Sequence, residues 1–328
     1  MNSKYSVNER AIDLLQRQVL PFAEHLQIEV HKMPCGCTLV DMGVLVDNGW
    51  RAAKLFTEVS LAGLGSVHYI KRKLGSLYMP AVMLTVDEPV IAEMSSHVAY
   101  WRVPYKGTTY NLSGPVRAKV LDAFSRKADY QDLQTERVLA AFQTDSLPDD
   151  DFCRLLAETA GVKPENFYLM VARTGTLLGL IQVAARNVEQ VLPTLADQGF
   201  DLDFVRYATG VSPLVHVTDD EMEAYGRVND CLIYGQETTL YVDCDDSEIT
   251  SMLGKITMDQ AGNHEVYGMP FSEIFSKCES DWCKVPRAWD APAMVRFFNL
   301  RSGKHFVAGR QEEDILVRDI WGKQGGRV

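Results

Sequence analysis

The chain has 328 residues, 46% of them hydrophobic, and a formal net charge of −11. That length buries a large core and divides naturally into two domains, while the acidic balance argues against a nucleic-acid or anionic-membrane surface, which needs clustered Lys and Arg. Apolar runs stop well short of the roughly 20 residues of a membrane-spanning helix, and Met1-Asn2-Ser3-Lys4-Tyr5 leads into an amphipathic pattern without a secretory apolar core, so a cytoplasmic protein is expected.

Ser6-Val7-Asn8-Glu9 is a capping box that opens a helix, followed by apolar residues at helical spacing through Ile12, Leu15, Val19 and Phe22. Residues 28–33 and 38–42 read as strands about a turn at Pro34-Cys35-Gly36, and 50–62 returns to a helical pattern. Strands are expected at 66–71 and 81–86, with Asp87 and Pro89 marking the start of another helix. The acidic stretch Asp145-Ser146-Leu147-Pro148-Asp149-Asp150-Asp151 is either a linker or the N-cap of the helix that follows. A boundary there gives an N-terminal α/β lobe of 1–145 and a C-terminal α/β lobe of 146–328, and the sequence leaves open whether the lobes exchange segments across it. The second half predicts strand 166–172, helix 175–192, strand 203–208, helix 219–227, strands 231–234 and 238–243, helix 270–278, and strands 294–299 and 304–307. This alternation defines an α/β fold with room for mixed sheets.

The seven cysteines are scattered and odd in number, as expected of free thiols. Cys35-Gly36-Cys37 lacks the usual ligand spacing and the seven histidines form no HxH, HxxxH or HExxH, so no metal is expected. No P-loop, GxGxxG or GxSxG is present, which argues against a nucleotide cofactor and favours activated water over a serine nucleophile.

The segment from Leu177 to Glu189 reads as a helix so apolar over its first two turns that most of it must be buried. Gln182, Arg186 and Glu189 then form a polar stripe on one face. One reading is an intrahelical Arg186/Glu189 pair contributing about 0.2–0.5 kcal/mol. The other is that a partly desolvated Glu189 has raised proton affinity and acts as general base, with Arg186 tuning it or holding an anionic group. Asn111-Leu112-Ser113-Gly114-Pro115-Val116-Arg117 reads as a helix start with Ser113 as cap and Arg117 in the first turn, either an anion site or an ordinary cap. Tyr207-Ala208-Thr209-Gly210 with Ser212-Pro213 reads as a sharp loop after a strand, where a ligand approaches backbone closely. Gly226-Arg227-Val228-Asn229-Asp230 reads as a helix-to-strand joint rich in polar groups.

Taken in order, these segments resemble the methenyltetrahydromethanopterin cyclohydrolase family, one-carbon enzymes of methanogens and of methylotrophic bacteria that carry the same pterin. The resemblance runs from Phe56-Thr57-Glu58-Val59 and Gly63-Leu64 through Pro80-Ala81-Val82, Ser113-Gly114-Pro115-Val116-Arg117-Ala118 and the Gln182/Arg186/Glu189 segment. It continues through Tyr207-Ala208-Thr209-Gly210, Gly226-Arg227 with Asn229-Asp230, Tyr234-Gly235, Pro270-Phe271 with Ile274-Phe275, Ala291-Pro292-Ala293 and Ser302-Gly303-Lys304. It implies two α/β lobes with a large pocket between them, a homotrimer, and reversible hydrolysis of a methenyl bridge to a formyl group without metal or nucleotide. It also implies that Arg186 and Glu189 are the catalytic pair, with Glu189 taking the proton of the attacking water. Gln182, Ser113, Gly114, Arg117, Thr209, Gly210, Asn229 and Asp230 are then expected at the pterin. Departures from the family pattern fall at Ala62, Leu112, Arg173, Ser212, Val228 and Gln236. Several belong to loops expected to line the pocket, and Arg173 adds a charge there. They leave two alternatives: a divergent relative acting on another cyclic amidine, formyl or pterin-like compound, and a non-catalytic pterin-binding protein.

Overall fold

The computed structural model describes residues 5–74 and 77–318. The chain runs α1 (Val7–Leu14), α2 (Ala23–Leu26), β1 (Glu29–Lys32), β2 (Thr38–Asp41), α3 (Trp50–Ser60), β3 (Gly65–Leu74) and β4 (Leu77–Val86). After a π-helix at Val90–His97 come β5 (Trp101–Tyr105), β6 (Thr108–Leu112), α4 (Arg117–Val120), β7 (Val138–Gln143), α5 (Asp150–Thr159), β8 (Phe167–Ala172) and α6 (Leu177–Ala184). Then follow α7 (Val191–Asp197), β9 (Val205–Pro213), α8 (Glu221–Asp230), β10 (Glu237–Val242), α9 (Asp246–Thr250), α10 (Phe271–Lys277), β11 (Met294–Asn299), β12 (His305–Gly309) and α11 (Glu313–Leu316). The α/β class is as expected. No helix among the described residues is long and apolar enough to cross a membrane.

Two compact units divide this chain, Met1–Ser66 with Val90–Gln182 and Val67–Pro89 with Val183–Val328. The boundary expected at 145/146 therefore lies inside the first unit. The acidic stretch is a cap and not a linker: the Asp149 carboxylate accepts the Phe152 N–H at 2.9 Å and opens α5. Loss of such a cap costs about 1 kcal/mol, so Asp149→Ala is expected to lower the unfolding free energy by that amount, seen as a lower urea midpoint at an unchanged m-value.

The first unit is built on a four-stranded sheet in the order β1-β2-β8-β7, with β1/β2 antiparallel and β2/β8 and β8/β7 parallel. Strand β7 has no polar alternation, because all but its last residue are buried; it gave no period-two signal and was not expected from the sequence. Asn8 of α1, fully buried, ties the opening helix to it by accepting the Leu139 N–H at 3.2 Å. The capping box forms in half: Ser6 Oγ accepts the Glu9 N–H at 3.1 Å, while Glu9 turns away to pair with Arg137. Hairpin β5–β6, also unexpected, turns on Lys106 and Gly107, both at positive φ, the two-residue geometry that matches strand twist.

The helix expected to start at Ser113 does not. Ser113 bridges antiparallel to Ala141, and helical structure begins only at Arg117, for four residues and without a side-chain cap. Gly114 is obligatory at that point: its φ is +100°, and a Cβ would stand 2.9 Å from both the Ala141 nitrogen and the Leu139 oxygen.

The second unit carries a six-stranded sheet in the order β12-β11-β10-β9-β4-β3. Pairs β4/β9, β9/β10 and β11/β12 are antiparallel, and β10/β11 is parallel. Three expectations fail here, two because Gly, Pro and polar residues read as breakers and one because a short apolar run does not tell strand from helix. Strand β9 continues to Pro213, so Thr209 and Gly210 are strand residues and not a loop. Helix α8 continues to Asp230, so Asn229 and Asp230 end a helix. Residues expected as strand 231–234 form a buried π-helix, Cys231–Gly235.

Candidate active site

Helix α6 is apolar apart from Gln182 and is almost wholly buried. It is packed so tightly at its start that a Cβ on Gly179 would fall 1.8 Å from the Arg173 carbonyl oxygen. Thr176 Oγ1 accepts the Gly179 N–H and donates to that same carbonyl, both at 3.0 Å, which fixes the loop before the helix.

The helix expected to run unbroken over 175–192 ends at Ala184. A 3-10 turn, Ala185–Asn187, follows, and α7 begins at Val191. Arg186 and Glu189 lie in this break, so they sit at a joint between helices and not on a helical flank. Arg186 Nη1 meets Glu189 Oε2 at 2.5 Å, with both side chains 15% exposed. This is a short charge-assisted contact, partly shielded from water yet still reachable by it.

The joint is held by Asn187, whose carbonyl accepts from Thr238 Oγ1 at 2.6 Å. Strand β9 crosses it at Gly210, where a Cβ would lie 1.9 Å from Asn187 Oδ1. The glycine is there for packing against the joint. Gly210→Ala must push Asn187 aside, and overpacking of this kind costs about 1–3 kcal/mol. We expect a matching fall in unfolding free energy, together with lost activity, because the displaced residue neighbours Arg186.

Next along the chain, the buried Gln190 donates from Nε2 to Asp290 Oδ1 at 2.7 Å. Asp290 closes a 3-10 turn, Arg287–Asp290, with its side chain 16% exposed. Arg287 Nη1 lies 3.9 Å from Asp290 Oδ2, and Arg287 Nε lies 3.7 Å from Asp197 Oδ2. Burial pushes the Asp290 carboxyl up to about 6, with the nearby Glu189 charge adding to it, against the opposing pull of Arg287 and the Gln190 hydrogen bond. The Tyr225 hydroxyl of α8 is driven above the ordinary phenol range by burial, with Asp290 acting in the same direction and Arg186 opposing. Sequence reasoning missed Asp290 because its short turn has no periodicity. The only signal was its place directly before Ala291-Pro292-Ala293.

The other expected residues have visible work inside the protein. In the second unit Thr209 pairs in register with Thr85 and Thr239. Asn229 Nδ2 donates to the Tyr225 carbonyl at 2.8 Å, and Asp230 Oδ1 accepts the first N–H of α10, that of Phe271, at 2.6 Å. In the first unit Gln182 Nε2 donates to Gln143 Oε1 at 2.9 Å, and Gln143 bonds to Thr174. Ser113 Oγ donates to the Ala141 carbonyl at 3.1 Å. Arg173 is half-buried, its N–H bonded to the Gly43 carbonyl at 3.0 Å. Arg117, fully buried, is gripped by Asp122 through Nε at 2.6 Å and Nη2 at 2.7 Å. Expected in the first turn of a helix capped by Ser113, as an anion site or part of an ordinary cap, Arg117 instead opens the short helix α4 as the buried half of an ion pair.

An apolar helix that breaks to expose a guanidinium–carboxylate pair, beside a second carboxylate of raised proton affinity, is equipment for acid–base catalysis on a bound substrate. The family model described as Cyclohydrolase (MCH) matches residues 6–319, and the chain belongs to this family. Its relatives include the methenyltetrahydromethanopterin cyclohydrolase of Methanothermobacter marburgensis, 33% identical over 96% of this chain and 99% of the relative. The enzyme of the same name from Methanocaldococcus jannaschii is 30% identical over 96% and 98%, and that from Methanosarcina barkeri is 31% identical over 96% and 98%.

Proposed function

We propose that this protein hydrolyses the methenyl bridge of methenyltetrahydromethanopterin to the formyl form, with Glu189 as the base that activates water. The observation that carries the reading is the Arg186–Glu189 contact at the helix break, in a chain whose full-length relatives bear that enzyme's name. The bridge carbon is part of an amidinium cation. Water attacking it becomes more acidic as the C–O bond forms, and a carboxylate within reach takes the proton. The negative charge of Glu189 also favours the cation at that position, while Arg186 keeps the carboxylate oriented. A cationic carbon is electrophilic already, so this route uses no metal and no nucleotide.

Family departures at Ala62, Leu112, Ser212, Val228 and Gln236 are all at 0% exposure. Leu112 packs in the first unit's apolar core with Trp101, Val138 and Phe167. Substitutions of this kind repack an interior, which favours the family substrate over a different cyclic amidine. A cytoplasmic homotrimer goes with the same reading, and light scattering is expected to give three times the 36.8 kDa chain mass.

The test is the absorbance decay of methenyltetrahydromethanopterin mixed with purified protein, run beside the methenyl folate. Efficiency on the order of 10⁴ M⁻¹s⁻¹ or more on the methanopterin compound supports the proposal. Folded protein that leaves it intact overturns the proposal.

A further inference from the structure

Hydrolysis of a methenyl cation brings in one water with two protons. The product keeps one of them on the nitrogen released by ring opening, and the other leaves. Glu189 serves the first exchange: it takes a proton as the C–O bond forms and returns it to that nitrogen as the C–N bond breaks. The hydroxyl proton of the intermediate must also go as the formyl C=O forms, and a single carboxylate must be emptied before the next turnover.

We propose that Asp290 is the outlet for this second proton, a carboxylate acting through Glu189 and not on the substrate. The inference rests on the cyclohydrolase reading above. Its geometry is local to the second unit. Gln190, the residue after Glu189, is 4% exposed and bonds directly to Asp290 at 2.7 Å. The same amide's Oε1 is buried, and no described residue donates to it.

An amide suits a partner that changes protonation. Its NH₂ donates to the carboxylate, and after a flip its oxygen accepts from the acid. Asp290 is therefore held in both states without a change of neighbour. The ionisable groups that face it are Arg287 of its own turn, Glu189 before α7 and Tyr225 of α8, with Asp197 of α7 drawn to Arg287. One cation opposes one carboxylate there, and burial tips the balance towards proton uptake near neutrality. A proton carrier needs that range, since it must load from the site and unload to water at the same pH.

The experiment is the pH profile of kcat for wild type, Asp290→Asn and Asp290→Glu on methenyltetrahydromethanopterin, with thermal unfolding measured at each pH. Wild-type kcat is expected to rise through a limb near pH 6 as Asp290 empties. Asp290→Asn should lose that limb and fall about tenfold or more at pH 8 with KM within threefold, and Asp290→Glu should restore much of both.

Stability gives the opposite sign. A carboxyl whose folded-state pKa is raised holds its proton more tightly when folded, so the wild type gains stability as pH falls through about 6 towards the ordinary carboxylate range. Asp290→Asn should consequently unfold no earlier than wild type at pH 8, which separates lost relay from lost fold. An asparagine variant with wild-type kcat and an unchanged limb overturns the proposal. If that variant does not fold, the absence of a limb near pH 6 in the wild type overturns it. Wild-type protein that never turns over sinks the cyclohydrolase reading and this inference together, whereas an active enzyme indifferent to residue 290 sinks the inference alone.

Discussion

Glu189→Gln is expected to reduce kcat on methenyltetrahydromethanopterin by at least ~10²-fold, within the ~10² to 10⁴-fold range of a positioned general base. The substitution keeps the size of the side chain and a carbonyl oxygen for Arg186, but removes the ability to take a proton. It also removes a negative charge from beside a cationic substrate, so KM should rise as well. The glutamine oxygen still accepts from Arg186, so the contact is weakened and not left empty. Stopped-flow absorbance beside a thermal melt decides the matter: a variant that turns over at the wild-type rate removes Glu189 from the mechanism.

The second large effect lies in the first unit and concerns stability. Asp122→Ala leaves the guanidinium of Arg117, at 0% exposure, without the carboxylate that accepts both of its short bonds. Removing one member of a buried pair costs about 3–5 kcal/mol, mostly the uncompensated charge. Asp122 also accepts the N–H groups of Phe124 and Ser125, which are released at the same time. The double variant Arg117→Met with Asp122→Ala should recover a good part of that loss, since an apolar side chain of similar length has no charge to strand. Urea unfolding of wild type, single and double variants measures both terms. Equal losses for the single and double variants would locate the cost in the backbone caps and not in the ion pair.

Elements with a clean period or cap were legible in the sequence. Strands near 28–33 and 38–42, the helix at Trp50–Ser60, and the strand at Met294–Asn299 all appear within a few residues of expectation. Strand β7 and the π-helix at Cys231–Gly235 were not, because a segment buried on all sides carries no alternation by which strand and helix differ. At the site, Arg186 and Glu189 were named from the sequence and do meet, but for a different local reason. The spacing suggested a face of one helix, and contact arises instead where that helix breaks. Gly210 was read as room for a ligand, and its space is filled by Asn187. Asp290 was invisible, since its place beside Gln190 depends on bringing together residues a hundred positions apart.

The division of the chain also governs the order in which the protein can be made. Strand β4 finds its partner β9 only after more than a hundred further residues have been added, because the whole of Val90–Gln182 intervenes. At a synthesis rate of ~5–20 residues per second, strands β3 and β4 wait on the order of ten seconds on the ribosome with the β4 edge unpaired. During that interval the first unit can complete itself, whereas the second cannot close its sheet until the C-terminal half emerges. An open strand edge on a nascent chain invites pairing with another chain, so the rate at which residues 90–204 are translated bears directly on how much of this protein reaches its native state.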